Sequence, residues 1–334
     1  MTPETMTLDA ARELAVGVLR ANGCDVAHAR AIADVMILAE RDGCASHGLF
    51  RLPGYVAALR SGKIDGTARP QLERIAPGIV RVDGRGGAAP LAFETGREPL
   101  VVLAREQGIA ALVLRDIYHF AALWPEVEAL AERGLCAFAF TAATPMVAPA
   151  GGTTPFFGTN PMAFGFPREA GPPFVFDQAS AAMARGDVLI HARDGVPLPD
   201  GVGIDADGRP TTDPVAVLNG AQLPFGGYKG SSIALMIELL VGALIGDLFS
   251  YESGERDSGD GGPPAGGELI LALDPDRFGD RDGWRDHTEA FFARLRGQPG
   301  VRLPGDRRRR MREATVRGGI AVPAPLAAEI RRLL

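Results

Sequence analysis

The segment Ile79–Ala89, with the sequence IVRVDGRGGAA, distinguishes between two kinds of α/β fold. A strand-like run leads through a glycine-rich turn into a helix, and Glu106 follows about twenty residues later, which imitates the dinucleotide-binding fingerprint of Rossmann folds. However, Ala89 replaces the last glycine of the fingerprint, and Pro90 follows at once. The sequence upstream is also helical, whereas a Rossmann fold opens with a βαβ unit. We therefore interpret the segment as a glycine-rich start of a helix.

Apolar residues on both sides of this segment predict alternating helices and strands. Upstream, a 3.6-residue period predicts two helices over Thr7–Ala39, with a break at Asn22-Gly23, and a third helix from Phe50 to Gly62. Downstream, we expect helix Leu91–Gln107, strand Ala110–Leu114, helix Ala121–Glu132 and strand Ala137–Phe140. The first half of the chain is thus expected to be mixed α/β.

The second half begins with short β-type runs separated by Gly, Pro and Asp, which favour antiparallel or mixed pairing. The predicted strands are Met162–Phe166, Phe174–Phe176 and Val188–His191. Further along, we expect a buried helix at Ile233–Phe249, a mobile surface loop at Ser253–Gly267, a strand at Leu269–Leu273, a helix at Trp284–Leu295 and a helical C-terminal end.

The composition is typical of a core-forming globular chain, with 334 residues of which 46% are hydrophobic. This length favours two domains. The 35 basic and 41 acidic side chains give a net charge of −6, which disfavours a nucleic-acid partner because phosphate backbones attract cationic surfaces. We expect no signal peptide and no membrane-spanning segment. Cys24, Cys44 and Cys136 are too few and too scattered for a disulfide framework, so we expect a cytoplasmic protein.

Two patterns resemble metal sites, but both are incomplete. Residues 205–208, DADG, resemble the start of a calcium-binding loop, yet Ala216 stands where that loop needs a glutamate, so a turn is favoured. Cys44 and His47 have a spacing seen in zinc sites, but no second close pair completes a tetrahedron. We therefore expect no metal site.

The segment Ser46–Arg51, SHGLFR, places a histidine beside a hydroxyl, with an arginine about one helical turn away. An imidazole exchanges protons near neutral pH, and a guanidinium holds a carboxylate through two parallel hydrogen bonds. The segment can therefore combine a proton donor with an anion clamp, although the spacing alone leaves a structural role for His47 open. The run Arg307–Arg310 is similarly open between a solvated face and an anion site.

Five separated motifs occur in the order found in a known enzyme family. They are SHGLFRLPGY (46–55), PFFGTNP (155–161), DADGRPTTDP (205–214), PFGGYKG (224–230) and LPG (303–305). On these motifs the chain resembles the malate/L-lactate dehydrogenase family of nicotinamide-dependent oxidoreductases, which is unrelated to the Rossmann-type lactate and malate dehydrogenases. Residues 119–128, HFAALWPEVE, and 183–187, MARGD, are most similar to the Δ1-piperideine-2-carboxylate/Δ1-pyrroline-2-carboxylate reductases of that family.

The resemblance implies an α/β (α+β) fold whose cofactor domain has a largely antiparallel or mixed sheet of non-Rossmann type. Residues 116–295 would form this NAD(P)H-binding domain. Residues 1–115 and 296–334 would form a helical domain that contributes to the substrate site. The resemblance also implies a homodimer.

The implied activity is reduction of a small-molecule substrate, a cyclic imino acid, to L-pipecolate or L-proline by hydride transfer, with His47 as proton donor. The implied catalytic residues are Ser46, His47 and Asp187, of which the first and last orient the histidine. The implied substrate-binding residues are Arg51, which holds the carboxylate, and Thr159, Arg185 and Gly186.

The implied cofactor-binding residues fall in four segments. They are His119, Phe120, Ala121, Ala122 and Leu123, then Asp177, Gln178 and Ala179, then Tyr228 and Lys229, and finally Pro304, Gly305, Asp306, Arg307, Arg308, Arg309 and Arg310. We expect NADP(H) to be preferred over NAD(H), because an arginine cluster favours an extra phosphate. Ala142-Ala143 stand where the family usually has Asn-Ser, and residues 177–181 are DQASA where DMATS is usual. These changes remove hydrogen-bond partners beside the cofactor, so they bear on its affinity.

Two alternatives stay open at this point. A 2-hydroxy-acid dehydrogenase of the same family needs the same hydride, the same acid and the same carboxylate clamp. A non-catalytic oligomeric binding protein would keep the scaffold alone, although retention of Ser46, His47, Arg51 and Asp187 argues against it.

Overall fold

The computed structural model describes residues 3–120 and 122–334. The described strands are β1 Glu4–Met6, β2 Gln71–Ala76, β3 Ile79–Ala88, β4 Ile109–Tyr118, β5 Cys136–Thr141, β6 Met162–Phe166, β7 Phe174–Gln178, β8 Gly203–Ile204, β9 Pro210–Thr211, β10 Ala221–Gln222, β11 Ala265–Leu273 and β12 Ile320–Val322. The described helices are α1 Leu8–Ala21, α2 Val26–Arg41, α3 Leu52–Arg60, α4 Ala89–Gln107, α5 Trp124–Ala131, α6 Arg185–Asp194, α7 Pro214–Asn219, α8 Tyr228–Glu238, α9 Ser250–Glu255, α10 Trp284–Arg296, α11 Asp306–Gly318 and α12 Ala324–Arg331.

A seven-stranded sheet in the order β2-β3-β4-β11-β5-β6-β7 is the centre of the fold. β3 and β4 run parallel, and every other neighbouring pair in this sheet is antiparallel. The register places Leu112 between Val80 and Ile270. This mixed, largely antiparallel sheet confirms the expected non-Rossmann fold class.

The glycines predicted to start a helix lie instead in the bulged end of β3, and α4 begins directly after them at Ala89. Arg85 and Gly86 have φ values of 54° and 74°, and the register between β3 and β4 shifts between Asp83 and Gly87. A proline is then accepted in the first turn of α4, where its missing N–H has no helical partner to lose. The glycines therefore bend the strand into the helix.

Helices cover both faces of the sheet because its side chains alternate between them. Leu112 and Leu114 are fully buried with residues of α4 and α5, whereas Val113 packs with Ile237 and Val241 on the other face. Burial of such side chains stabilises each by about 1.5–3 kcal/mol. The two apolar clusters fix the sheet between helical layers.

The two ends of the chain join in one helical unit. β1 pairs with β12 in antiparallel register, so that Thr5 lies opposite Ala321, and α12 packs against α1 and α3. Thr7 and Asp25 cap α1 and α2 by accepting hydrogen bonds from the backbone N–H groups of Ala10 and His28. The expected division at residues 115 and 295 stays a prediction, and residue 115 lies within β4.

Two predicted elements were wrong, and the predicted buried helix Ile233–Phe249 is exposed at Leu235, Leu239 and Leu244 and ends as a π-helical turn at Leu244. Val188–His191 belongs to α6 and not to a strand, since a run of only three apolar residues fits either period. The predicted mobile loop Ser253–Gly267 instead contains the end of α9 and the start of β11. The segment between them is fixed by side chains that lie about 200 residues away in the chain, such as Lys63.

None of the described helices combines the length and the apolar character needed to span a membrane.

Candidate active site

A cleft of about 690 Å³ contains most of the residues that the sequence predicts for the site. The predicted residues that line it are Ser46, His47, Arg51, His119, Phe120, Thr159, Asp177, Gln178, Ala179, Arg185, Gly186, Asp187, Arg307 and Arg308. Its volume is within the range of small-molecule sites. The fold thus gathers into one cavity the residue types needed to bind an anion and to exchange a proton.

The other predicted cofactor residues are not among those that line this cleft. Tyr228 and Lys229 are exposed at the start of α8, whereas Ala122 and Leu123 are buried just before α5. Pro304, Gly305, Asp306, Arg309 and Arg310 lie at and before the start of α11. Ala121 lies outside the described residues.

Ser46, His47 and Arg51 lie on two short 3-10 turns before α3. The Ser46 hydroxyl is 3.2 Å from His47 Nδ1, and Arg51 Nε donates to the Ser46 carbonyl oxygen at 2.7 Å. A Cβ atom at Gly48 would overlap the carboxyl group of Glu40, which accepts a hydrogen bond from the Leu49 N–H. The glycine of the SHG motif therefore leaves room for a buried anchor.

Burial determines the charge state of these groups. Burial and, to a smaller extent, the neighbouring Arg51 charge together lower the pKa of His47 to about 3. Burial also lowers the pKa of Arg51 to about 10, so this guanidinium stays charged at neutral pH. The Arg51 guanidinium lies 4.5 Å from the ring centre of Phe120. In this structure His47 is thus neutral beside a buried cation.

α6 brings its first turn close to this cation. A Cβ atom at Gly186 would lie 2.6 Å from Arg51 Nη2 and 2.9 Å from Ser46 Cβ, so a larger residue would displace the guanidinium. The negative charge of Asp187 partly offsets the lowering of the Arg51 pKa by burial. Among the described residues, no hydrogen bond joins Asp187 to His47, and an orienting role of this carboxylate stays a prediction.

His119 is held by Thr141. The Thr141 hydroxyl donates to the Gly267 carbonyl oxygen at 2.7 Å and lies 3.0 Å from His119 Nε2. Because the hydroxyl proton is engaged, Nε2 is the donor of this second bond. Burial lowers the pKa of His119 to about 4, so the ring is neutral at pH 7.

The predicted cofactor residue Asp177 also has a structural role, because it accepts two backbone hydrogen bonds. Its carboxylate accepts hydrogen bonds from the N–H groups of Leu123 and Trp124, at 2.9 and 3.0 Å, and so satisfies the start of α5. Burial raises the pKa of Asp177 to about 6, although the nearby Arg308 opposes this shift. Arg308 itself donates to the Val175 carbonyl oxygen at 2.9 Å.

Sequence reasoning missed two groups near the site. The first consists of lining residues from other segments: Cys44, Trp124, Thr144, Pro161, Asp257, Gly261, Gly262 and Pro264. The second is the buried acid pair Glu126 and Glu268, in which Glu126 borders a small cavity shared with His47, Arg51 and His119. Of the first group, Trp124 and Pro161 lay in motifs that the sequence had singled out, at residues 119–128 and 155–161.

The described residues contain no cluster of three or more His, Cys, Asp or Glu side chains arranged to hold a metal ion. They do fit a phosphate-bearing nucleotide. Arg307 and Arg308 offer guanidinium groups at one part of the cleft, and His119 and Phe120 offer aromatic surface at another.

A family model for malate/L-lactate dehydrogenase matches residues 6–331. Together with the non-Rossmann sheet and the cleft, this match defines an oxidoreductase that uses a nicotinamide cofactor. The chain belongs to the malate/L-lactate dehydrogenase family.

Individual relatives cover nearly the whole chain. It is 50% identical over 333 residues to a Δ1-pyrroline-2-carboxylate reductase of Ancylobacter novellus, covering 99% of this chain and 98% of the relative. It is also 50% identical, over 331 residues, to a Δ1-pyrroline-2-carboxylate/Δ1-piperideine-2-carboxylate reductase of Pseudomonas aeruginosa, covering 98% and 99% of the two chains. The solved Δ1-piperideine-2-carboxylate reductase of Pseudomonas syringae pv. tomato superposes with a TM-score of 0.94 at 40% identity, covering 99% of this chain and 100% of that one.

Proposed function

We propose that this protein reduces Δ1-pyrroline-2-carboxylate and Δ1-piperideine-2-carboxylate to L-proline and L-pipecolate with NAD(P)H. The observation that carries the proposal is the placement of Arg51 and His47 side by side in one buried cleft. Arg51 fits the carboxylate that both substrates share, and His47 fits the proton that an imine nitrogen needs. The names of the relatives above support the same substrates.

Substrate binding makes His47 easier to protonate. The Arg51 charge lowers the pKa of His47 in the free protein. A carboxylate paired with Arg51 offsets that charge, and its own negative charge favours the imidazolium, so the pKa of His47 rises when substrate binds. The histidine therefore gains a proton at the stage when the reaction needs one.

In the reaction, Arg51 fixes the carboxylate and so sets the position of the ring. The imine carbon would receive the hydride that a nicotinamide cofactor supplies when it is bound in the cleft. His47 gives its proton to the ring nitrogen, so the C=N double bond becomes a CH–NH single bond and the imidazole becomes neutral. Ser46 positions His47 through Nδ1, and Asp187 adds negative charge beside Arg51.

Thr159, Arg185 and Gly186 would line the bound substrate. Gly186 supports this role because its missing side chain lets the Arg51 guanidinium pack against the start of α6. Burial lowers the pKa of Arg185, whose guanidinium lies at the start of α6. These three residues would hold the ring against the cofactor.

We further propose that NADP(H) is preferred over NAD(H). Arg307 and Arg308 line the cleft at the start of α11, where their guanidinium groups suit the extra phosphate of NADP(H). The remaining members of the predicted cofactor set keep this role as a proposal, with Tyr228 and Lys229 as exposed groups at the start of α8.

We also propose that the protein is a cytoplasmic homodimer. An exposed apolar face supports the dimer: Tyr228, Leu235, Leu239 and Leu244 are 69%, 50%, 52% and 69% exposed along α8 and the π-helical turn after it. Such faces mark contacts between subunits.

Three free cysteines agree with a reducing compartment, as expected for a cytoplasmic protein. Analytical ultracentrifugation of the protein and of Leu239→Glu tests the dimer, which this charge should weaken.

The deciding experiment follows NADPH oxidation with Δ1-pyrroline-2-carboxylate, Δ1-piperideine-2-carboxylate, pyruvate and oxaloacetate in parallel. We expect turnover with the two imino acids and little with the two oxo acids. The opposite result would assign the protein to 2-hydroxy-acid dehydrogenation. Failure to bind NADPH at all would assign it to non-catalytic binding.

A further inference from the structure

The segment 256–264, which connects α9 to β11, crosses the outer surface of α3 and is held there by Lys63. Lys63 Nζ donates to Asp257 Oδ1 at 2.7 Å and to Asp260 Oδ1 at 3.1 Å. The Lys63 side chain is only 8% exposed, against 12% for Asp260 and 34% for Asp257. This partly buried cluster joins residues that are far apart in the sequence.

Asp260 is the centre of the cluster. Besides Lys63, its carboxylate accepts hydrogen bonds from the Ser61 hydroxyl at 3.1 Å and from the Gly262 N–H at 2.8 Å. One side chain thus connects the C-terminal end of α3 to the turn of its own segment. Asp257 pairs with Lys63 alone in the described residues. Loss of the Asp257 carboxylate should therefore loosen the segment less than loss of the Asp260 carboxylate.

Backbone contact adds to these ionic bonds. A Cβ atom at Gly54 would lie 2.6 Å from the carbonyl oxygen of Gly261, and one at Gly262 would lie 2.6 Å from Ala58 Cβ. Both distances are too short for a side chain to fit without movement. Glycines on α3 and on the segment therefore allow the two backbones to touch.

The same segment borders the cleft beside the proposed carboxylate clamp. Gly261, Gly262 and Pro264 line the cleft together with Arg51. Phe120, whose ring lies 4.5 Å from the Arg51 guanidinium, would also touch a Cβ atom at Gly54, at 3.0 Å. The segment is thus next to the position where the substrate carboxylate and ring would lie.

We propose that segment 256–264 is the wall that limits substrate size in this cleft, and that Lys63 is the positioning residue that holds it in place. The inference rests on the proposed function, because it concerns the substrate end of the same site. Removing Lys63 leaves two carboxylates facing each other without their shared cation, which favours release of the segment from α3. The chemistry at His47 does not involve Lys63.

The test is Lys63→Met, which keeps an unbranched side chain of similar length but removes the charge. We expect KM for both imino acids to rise about tenfold, with kcat changed less than about twofold. This is the result expected when the fraction of molecules whose segment is docked on α3 and ready to bind substrate falls to roughly a tenth. The Kd for NADPH should stay the same. Lys63→Arg should restore most of the wild-type KM, and Arg81→Met, which breaks the exposed pair with Glu73, should change nothing.

A second measurement does not depend on activity. Hydrogen–deuterium exchange of backbone amides in residues 256–262 should be faster in Lys63→Met than in wild type. Asp260→Asn should have a larger effect than Asp257→Asn, because Asp260 has more partners. Lys63→Met should also accept cyclic imino acids with bulkier rings, relative to pyrroline-2-carboxylate, better than wild type does.

Each outcome supports or overturns a part of the inference. Unchanged exchange in all three variants would show that Lys63 does not hold the segment. Faster exchange with unchanged KM and unchanged size preference would show that the segment is no substrate wall. If wild type reduces neither imino acid, the proposed function fails, and the wall is then tested with whichever oxo acid it reduces, while the exchange result still decides the role of Lys63.

Discussion

Arg51 Nε donates a hydrogen bond to the backbone carbonyl oxygen of Ser46, so the proposed carboxylate clamp is fixed to the turn that carries the proposed proton donor. One nitrogen of the guanidinium is thus committed to the protein, and the outer nitrogens remain for a ligand. Gly186 gives Arg51 Nη2 the space to occupy this position. Clamp and donor therefore keep a fixed separation.

Arg51→Lys should impair substrate binding far more than cofactor binding. A lysine has one point charge and cannot both bond Ser46 and hold a carboxylate through two parallel hydrogen bonds. We expect a raised KM for the imino acid with an unchanged Kd for NADPH. Steady-state kinetics and NADPH titration check this, and the reverse pattern would move Arg51 into the cofactor site.

His47→Ala and His119→Ala should have different effects. Loss of a general acid lowers kcat by roughly 10²–10⁴, so His47→Ala should show this loss with NADPH binding nearly intact. His119 already donates through Nε2 to Thr141, which suits it to packing beside the cofactor, so His119→Ala should mainly raise KM for NADPH. If His119→Ala instead abolished turnover while His47→Ala was mild, the proton donor would be His119.

Arg307 and Arg308 should determine the choice of cofactor. Replacing both with alanine should lower kcat/KM for NADPH much more than for NADH, because the guanidinium groups favour the extra phosphate. The wild-type preference should also weaken with added salt, as screening predicts for exposed charges. Arg317→Ala, which changes an exposed arginine in the last turn of α11 that does not line the cleft, is the control. If the ratio of kcat/KM for NADPH to kcat/KM for NADH were unchanged in the double variant, Arg307–Arg310 would be a solvated surface run without a role in cofactor choice.

Glu268→Gln should remove a pH dependence of stability. Burial raises the pKa of Glu268 to about 7, from 4.5 for an exposed glutamate, and burial also raises the pKa of its neighbour Glu126. The folded state thus binds the proton more tightly than the unfolded state does. The wild-type free energy of unfolding should therefore fall as the pH rises from about 4.5 to 7. Ionisation of Glu268 should account for about 2–3 kcal/mol of this loss.

Chemical denaturation at pH 5, 6, 7 and 8 measures this slope. The glutamine variant should lose less stability than wild type over the same range, and the gap between them should be largest at pH 8. Glu73→Gln, which changes an exposed glutamate on β2, should run parallel to wild type. Equal slopes for Glu268→Gln and wild type would show that Glu268 ionises normally.

Local signals in the sequence determined much of the fold. The period of apolar residues located α1, α2 and α4, and the glycine-rich segment before α4 lacked the features of a Rossmann loop. Short runs such as β6 and β7 indicated antiparallel pairing, because their length and spacing leave no room for crossover helices. The motifs at Ser46–Arg51 and Met183–Asp187 likewise identified the chemical groups of the site, since residue type decides what a side chain can donate or accept.

Only the tertiary structure decided how these groups meet. Gly186 lies against Arg51 because α6, whose Val188–His191 run fits a strand equally well, packs its first turn on the SHG motif. The acidic, glycine-rich sequence around Asp260 resembled a mobile loop, yet Lys63 and the backbone of α3 hold it beside the cleft. Glu126 and Glu268 are buried together although neither carries a local signal. Each of these contacts joins distant segments, and its energy depends on burial and on partners that no local pattern specifies.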